Sequence, residues 1–126
     1  MRIDSLDHLV LTVTSIERSV DFYEGVLGMK KIVFGEGRVA LAFGTQKINL
    51  HEVGKEFEPK ALNVASGSSD LCFISKTPIQ TIIKELNEQA VQIIEGPVVR
   101  TGALGKINSV YFRDPDGNLI EVSNYM

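Results

Sequence analysis

The feature that most constrains the fold is an order of predicted elements that occurs twice in succession. A strand, an amphipathic helix and three further strands are predicted before residue 54, and the same order is predicted again after residue 68. His8-Leu9-Val10 aligns with Asp70-Leu71-Cys72, and each triplet precedes a helix start. We therefore predict an α+β chain of two tandem βαβββ modules, related by pseudo-twofold symmetry, whose sheets each curl into half of a cupped barrel.

The first module is predicted within residues 4–53. Residues 7–13 read as a strand, and Thr14 followed by Glu17 fits the capping box of a helix start. Apolar residues at helical spacing mark an amphipathic helix that stops at Gly28: Ile16, Val20, Tyr23 and Leu27. Short strands separated by glycine-containing turns are predicted next, over residues 31–34, 38–43 and 47–53.

Residues 54–68 are polar and rich in turn formers, and we interpret them as the linker to a second module over residues 69–126. Residues 70–74 read as a strand, and Thr77-Pro78-Ile79-Gln80 fits a capped helix start. The helix that follows has its apolar face at Ile79, Ile82, Ile83, Leu86 and Ala90. The remaining predictions are a strand over 91–95, a glycine-rich loop over 96–106 and a strand over 108–113.

The last hairpin places a carboxylate on the face of a sheet. Asp114-Pro115-Asp116-Gly117 has the composition of a tight turn, because proline presets its φ and glycine accepts a positive φ. In the strand that follows, Leu119, Glu121 and Ser123 share one face. If that face points inward, the Glu121 carboxylate requires a metal ion, another cation or a proton as its partner.

Composition narrows the functional classes. The chain has 126 residues, of which 44% are hydrophobic, and a formal charge of -3 with no run of Lys or Arg. One substantial core and no nucleic-acid partner are therefore expected. The single cysteine, Cys72, excludes an intrachain disulfide, and neither a signal peptide nor a membrane-spanning run is predicted. We expect a soluble, cytoplasmic protein with no membrane partner.

Four residues at related positions of the repeat could converge: His8, His51, Asp70 and Glu121. Aligning Phe43–Glu52 with Phe112–Val122, with one inserted residue in the second copy, sets His51 against Glu121. Two imidazoles with one or two carboxylates suit Zn, Fe(II), Mn, Ni or Co. The alternative for a histidine in a strand is a hydrogen-bonded core residue without a metal, and both interpretations stay open here.

Further candidates have weaker signals. Lys47 and Asn49 share the predicted face of His51 and could meet an anionic substrate, although a solvated strand end also explains Lys47. Arg100 lies in the predicted loop over 96–106, which could close over a cavity as a lid, or it is an ordinary exposed arginine. For Cys72 we favour a small buried hydrophobic residue over a nucleophile.

Three segments together resemble the vicinal oxygen chelate family, which includes glyoxalase I, fosfomycin-resistance thiol transferases, extradiol dioxygenases and metal-free bleomycin-binding proteins. They are the strand Asp7-His8-Leu9-Val10-Leu11, the helix end Phe22-Tyr23 with Leu27-Gly28-Met29, and Asp114-Pro115-Asp116-Gly117-Asn118 before Glu121. The resemblance implies metal ligands at His8, His51, Glu121 and possibly Asp70. Asp70 departs from the pattern, because many relatives have histidine there.

The resemblance also implies a function. The implied protein is a glyoxalase-type divalent-metal lyase or isomerase. In such an enzyme the metal holds adjacent oxygens of a small substrate, and Glu121 would be both a metal ligand and the catalytic base. Lys47, Asn49 and Arg100 would contact the substrate. The alternatives are a metal-free protein that binds a small molecule without turnover, and an Fe(II) dioxygenase. The family further implies a homodimer.

Overall fold

A computed structural model describes all 126 residues. The chain forms two compact units, residues 1–67 and residues 68–126. The first unit comprises β1 (His8–Val13), α1 (Ile16–Gly25), β2 (Lys30–Phe34), β3 (Arg38–Phe43) and β4 (Gln46–Glu52). The second comprises β5 (Asp70–Ile74), α2 (Ile79–Glu88), β6 (Glu95–Thr101), β7 (Lys106–Arg113) and β8 (Leu119–Tyr125). The predicted α+β fold of two tandem βαβββ modules is confirmed.

Each unit contains one four-stranded sheet, and the two sheets have the same topology. The strand orders are β1-β4-β3-β2 and β5-β8-β7-β6. In each sheet the first strand pairs in parallel with the last, so that His8 lies opposite Lys47 and Asp70 lies opposite Leu119. The other pairings are antiparallel. The last strand of each unit is therefore a central strand, hydrogen-bonded on both sides.

The core of each unit consists of alternate strand residues and the apolar side of its helix. Tyr23 and Val20 of α1 are buried, as are Ile82 and Leu86 of α2. The buried strand residues that share this role are Leu11, Val13, Leu41, Ile48 and Leu50 in the first unit, and Val110, Phe112, Ile120 and Val122 in the second. Because side chains alternate along a strand, the intervening residues form the opposite face of each sheet, where the polar candidates lie.

The helix starts differ from the prediction. Ser15 caps α1, and its hydroxyl accepts a hydrogen bond from the backbone N–H of Arg18 at 3.2 Å, so the predicted Thr14 box is one residue out. The predicted cap of α2 is wrong, because the helix follows Pro78 directly and has no side-chain cap. Each helix has ten residues, and neither is long and apolar enough to cross a membrane.

The segment from 91 to 106 also differs from the prediction. Strand β6 covers Glu95–Thr101, so a predicted strand over 91–95 and a glycine-rich lid over 96–106 are wrong. Glycine and proline usually indicate a loop, but here Gly96 lies where the register between β6 and β7 shifts. Its φ is +110°, and a Cβ there would overlap the carbonyl oxygen of Ser109. Gly96 thus permits a close approach of two strands.

Candidate functional site

The turn over residues 114–118 sets the position of Glu121. The Asp114 carboxylate accepts hydrogen bonds from the backbone N–H groups of Asp116 and Asn118, each at 2.9 Å, and from the Asn118 side-chain amide at 2.7 Å. Asn118 Oδ1 in turn accepts from the backbone N–H of Ser69 at 2.9 Å. Asn118, which is fully buried, therefore fixes β8 against the start of β5.

With β8 fixed in this register, Glu121 lies opposite Cys72 on one side and opposite Tyr111 on the other. Its Oε2 accepts a hydrogen bond from the Ser109 hydroxyl at 2.6 Å and a longer one from the Ser123 hydroxyl at 3.3 Å. The two serine hydroxyls lie 2.6 Å apart, and both residues are fully buried. One carboxylate oxygen is thus held by neutral donors on the sheet.

A second set of polar side chains adjoins Glu121. Arg100 Nε donates to the Tyr111 hydroxyl at 3.1 Å, and Arg100 Nη2 contacts Glu95 at 3.0 Å. Burial raises the pKa of Tyr111, and hydrogen bonding with Glu121 raises it further, against the opposing effect of Arg100. Tyr111 is therefore a phenol at neutral pH and can donate a hydrogen bond. Arg100 belongs to β6 and not to a mobile lid.

These groups line a cavity of about 440 Å³ that lies within the second unit. Glu121, Tyr111 and Arg100 supply its charged and polar groups, while Ile74, Ile107 and Tyr125 supply apolar surface. Cys72 also lines it and is accessible to solvent, contrary to the predicted buried hydrophobic role. An apolar cavity with a few converging polar groups has the character of a small-molecule site.

The thiol of Cys72 is poorly suited to act as a nucleophile. Partial burial of its sulfur raises the pKa of Cys72, and the charge of Glu121 raises it as well, while a contact with the Ser123 hydroxyl opposes both. That hydroxyl lies 3.5 Å from Sγ. Because the thiolate is the reactive form, little reactive cysteine is present at neutral pH.

The corresponding face of the first sheet is cationic. Its side chains form three rows: His8, Lys47, Ala42 and Lys30; Val10, Asn49, Ala40 and Ile32; Thr12, His51, Arg38 and Phe34. We call this surface the cationic face. Three of its residues are lysine or arginine and none is acidic.

His51 is buried, with 3% of its surface exposed, and it lies beside Arg38. Arg38 Nη2 is 3.4 Å from His51 Nε2. Because a guanidinium can only donate, Nε2 must accept, and the proton of the neutral ring is therefore on Nδ1, which has no hydrogen-bond partner. Burial lowers the pKa of His51, and the charge of Arg38 lowers it further, while the Glu56 carboxylate opposes this effect and Lys60 adds slightly to it.

Two phenylalanine rings flank Arg38. Its Cζ lies 4.7 Å from the centre of the Phe57 ring and 5.1 Å from that of Phe34. Lys47 Nζ lies 3.7 Å from the centre of the same Phe34 ring. Phe57 comes from the segment after β4 and meets the His51 ring edge-on at 5.4 Å. These contacts hold two cations by cation–π attraction in the absence of a carboxylate partner.

The register of the strands corrects the predicted internal alignment. Because His8 lies opposite Lys47 and Asp70 lies opposite Leu119, Lys47 corresponds to Leu119. It follows that Asn49 corresponds to Glu121 and His51 to Ser123, so the alignment that set His51 against Glu121 is wrong by two residues. The error came from matching Phe43 with Phe112, whereas the partners of Lys47 and Leu119 are Ala42 and Arg113.

The predicted metal ligands do not meet within either unit. His51 lies opposite Thr12, four residues along the strands from His8, which is about 13 Å at ~3.3 Å per residue. His8 is exposed, and its Nδ1 contacts the Asp7 carboxylate at 2.7 Å. Within the second unit, Asp70 and Glu121 are the predicted ligands. Nowhere in the chain do three or more His, Cys, Asp or Glu side chains form a group that could hold a metal ion.

Several polar residues of these two faces were not predicted. Ser109 and Ser123 hold Glu121, and their signal was the alternation that places them on its face. Arg38 lies at the first residue of β3, and its contact with His51 follows from strand register that the sequence does not specify. Phe57 was assigned to a linker, where an isolated aromatic residue carries no positional signal.

The fold, with two tandem βαβββ units that each carry polar side chains on one face of a sheet, places this chain in a class of small α+β proteins. Residues 5–122 match the family model of the Glyoxalase/Bleomycin resistance protein/Dioxygenase superfamily. The chain belongs to this superfamily. Its members include glyoxalase, fosfomycin-resistance and bleomycin-binding proteins, and they commonly use divalent metals.

Three relatives are similar over nearly the whole chain. Virulence protein STM3117 of Salmonella typhimurium is 56% identical over 100% of this chain and 88% of its own length, and its crystal structure superposes with a TM-score of 0.99. Glyoxalase domain-containing protein RDO1 of Mycosarcoma maydis is 55% identical over 99% of this chain and 70% of its own length. The integron cassette protein VCH_CASS1 of V. cholerae is 63% identical, with a TM-score of 0.98 and coverage of 100% and 98%.

Proposed function

We propose that this chain is a lyase or isomerase of glyoxalase type that binds a small oxygenated substrate in the cavity of the second unit, with Glu121 as its proton acceptor. One observation carries the proposal. A carboxylate held on one oxygen by the hydroxyls of Ser109 and Ser123 lies at the wall of a cavity large enough for a small molecule. Membership of the superfamily supports the same chemistry.

The groups around the cavity suit proton transfer next to a carbonyl. In an α-hydroxycarbonyl substrate, Glu121 would take the carbon-bound proton, and the electron pair of the broken C–H bond would move to the carbonyl oxygen and form an enediolate. Tyr111 and Arg100 are donors that can stabilise the developing negative charge. Transfer of the hydroxyl proton to the former carbonyl oxygen, followed by return of the proton from Glu121 to the former carbonyl carbon, would complete an isomerisation and regenerate the carboxylate.

Metal use by this chain stays a prediction. A divalent ion, whether Zn, Ni, Co, Mn or Fe, would supply Lewis-acid stabilisation of the same oxygens. His8, His51, Glu121 and possibly Asp70 remain its predicted ligands. Lys47, Asn49 and Arg100 remain predicted substrate contacts. An Fe(II) dioxygenase would require iron in stoichiometric amount.

A second candidate is a protein that binds a small molecule without turnover. The observation that favours it is the four-residue offset between His8 and His51, since these two imidazoles do not approach each other within their own sheet. The cavity and its donors would then serve recognition alone.

Metal analysis followed by turnover measurements distinguishes the candidates. Protein purified without chelator is assayed for bound metal, and is then incubated with each divalent ion and with adducts of methylglyoxal and small thiols. Glu121→Gln is compared with Glu88→Gln, which alters an exposed carboxylate on α2. We expect Glu121→Gln to lower turnover by roughly 10²-fold or more and Glu88→Gln to leave it unchanged.

The outcomes separate the candidates. Substrate binding without turnover in the unaltered protein would favour the binding function, and oxygen consumption with bound iron would favour the dioxygenase. Equal turnover by Glu121→Gln and the unaltered protein would refute the assigned role of Glu121.

Some finer expectations also stay predictions. A homodimer is expected from the family and would be contradicted by a monomer mass in sedimentation at micromolar concentration. A cytoplasmic location is expected from the cysteine content. The narrower similarity to glyoxalase domain-containing protein 5, carried by Phe43-Gly44, residues 47–60, Glu95-Gly96-Pro97 and Arg100-Thr101-Gly102, is likewise a proposal.

A further inference from the structure

Arg38 and Lys47 on the cationic face have no anionic partner. Of the five N–H donors of the Arg38 guanidinium, one meets a protein acceptor, the Nε2 of His51 at 3.4 Å. Both cations instead rest on the Phe34 ring. A half-buried arginine in a folded protein ordinarily has a carboxylate or a carbonyl at its planar fork. The fork of Arg38 is therefore available to a ligand.

A second observation comes from neighbouring residues that are almost fully buried. His51 is 3% exposed and its Nδ1 has no partner, and Asn49 is 5% exposed with an unpartnered Oδ1. Buried polar atoms in native proteins nearly always have a hydrogen-bond partner, from the protein, from water or from a ligand. The polar network around Arg38 is thus incomplete in the chain alone: the His51 Nδ1–H is a donor that an anion can meet, whereas Asn49 Oδ1 is an acceptor and requires a donor such as water.

The chemistry of the face selects the ligand. A carboxylate matches the two parallel donors of a guanidinium, and Lys47 adds a second positive charge. Phe57 is 42% exposed and packs on Arg38, so it presents apolar surface beside the charged group.

We propose that the cationic face of the first unit binds a small carboxylate with a short apolar body, anchored by the Arg38 fork and by Lys47, with its apolar part against Phe57. The proposal does not depend on the proposed activity of Glu121 in the second unit. His51 contributes to it through the contact of its Nε2 with Arg38.

Nuclear magnetic resonance titration of isotope-labelled protein tests the proposal directly. The probes are acetate, butyrate and hexanoate, with hexanamide as the uncharged analogue and inorganic phosphate as a different anion. The signals followed are the Arg38 Nε–H and the His51 ring. We expect saturable shifts at both, with affinity rising from acetate to hexanoate and no binding of hexanamide.

Variants of Arg38 then test the anchor. Arg38→Gln should weaken hexanoate binding by roughly ten- to hundredfold, and Arg38→Lys, which keeps the charge but not the fork, should weaken it by a smaller factor. Arg18→Gln changes an exposed arginine on α1 and should bind as the unaltered protein does. Thermal unfolding establishes that each variant is folded, and Arg38→Lys provides the test if Arg38→Gln is not.

Three results would overturn the proposal. One is unchanged hexanoate affinity in the folded Arg38 variants, which would remove the anchor. Another is binding of hexanamide as tight as that of hexanoate, which would remove the carboxylate. The third is tighter binding of phosphate than of any carboxylate, which would assign the face to a different class of anion.

Discussion

The two units have the same strand order and the same parallel pairing of first and last strands, yet the corresponding faces of their sheets differ in charge, because the first carries only cations whereas the second carries the Glu121 carboxylate together with Arg100. At equivalent positions the first unit has Asn49 and the second has Glu121. Around Asn49 lie lysine and arginine on phenylalanine rings, whereas around Glu121 lie two serine hydroxyls, a tyrosine and the arginine that donates to that tyrosine.

The difference teaches that topology determines where polar groups lie but not which ligands they select. In the second unit the carboxylate is satisfied by protein hydroxyls and can also accept a proton. In the first unit no carboxylate contacts Arg38 or Lys47, and burial together with Arg38 favours the neutral form of the imidazole. One backbone plan thus carries a hydrogen-bonded carboxylate in one copy and cations held on aromatic rings in the other.

The largest expected difference in stability between the units concerns the side-chain hydrogen bond that connects the start of the last strand with the segment before the first strand. Asn118→Ala would leave the Ser69 N–H without its partner and would remove one of the three hydrogen bonds that the Asp114 carboxylate accepts, and we expect a loss of about 2–4 kcal/mol in the free energy of unfolding. Gln46 has the related place in the first unit, with an exposed bond to the Leu6 carbonyl at 2.7 Å, and Gln46→Ala should cost under about 1 kcal/mol. Denaturant unfolding measures both, and equal losses would contradict the contrast.

A charge at Asn49 would make the first unit resemble the second. Asn49→Asp places a carboxylate on the cationic face, where it would neutralise Arg38 and Lys47. We expect carboxylate affinity to fall by roughly tenfold, as expected when about 1.4 kcal/mol of attraction is lost. Asn63→Asp adds the same charge at an exposed position and serves as the control. Titration with hexanoate gives the result, and equal affinities of the two variants would show that Asn49 lies outside the site.

Acidification should destabilise the first unit through His51. The pKa of His51 is lowered from 6.5 by burial and by Arg38, so the unfolded chain binds this proton at a higher pH than the folded chain does. The stability that depends on neutral His51 is therefore present above pH 6.5 and is lost as the pH falls toward the lower folded pKa.

The measurement is the free energy of unfolding above and below pH 6.5 for His51→Gln, Arg18→Gln and the unaltered protein. The acid-induced loss should be smaller in His51→Gln, whereas Arg18→Gln, which changes an exposed residue of α1 that does not titrate in this range, should follow the unaltered protein. Identical pH dependence in all three proteins would mean that Arg38 does not hold His51 neutral.

The smallest expected effect is on the thiol of the second unit. Because the Glu121 charge contributes to the raised pKa of Cys72, Glu121→Gln should increase the rate of alkylation by iodoacetamide, by about two- to threefold. Glu88→Gln should leave the rate unchanged. Mass spectrometry follows the reaction, and a slower rate in Glu121→Gln would show that the carboxylate does not oppose thiolate formation.

The sequence predicted the fold well because the relevant signals are local. Alternation, helical spacing and the Asp114–Asn118 turn each operate over a few residues, and the repeat joined them into two modules. The errors lie where non-local pairing decides. Gly96 suggested a loop because its close approach to Ser109 depends on the neighbouring strand, and the equivalence of His51 with Glu121 depended on a register that only the paired first strand defines.

The candidate site was predicted in part for the same reason. Glu121 was placed on its face by alternation alone. Ser123 was placed on the same face by the same alternation, whereas the partner Ser109 and the contact between Arg38 and His51 require knowledge of which strands are neighbours.

The parallel pairing of the first and last strands of each sheet also has a consequence for folding during synthesis on the ribosome. Strand β5 cannot acquire its partner until β8 has been made, about fifty residues later, and at roughly 5–20 residues per second this takes about 2–10 s. During this interval the backbone edge of β5 is open to pairing with another chain. Strand β5 has only five residues and begins with a charge at Asp70, and both properties limit such pairing in the nascent chain.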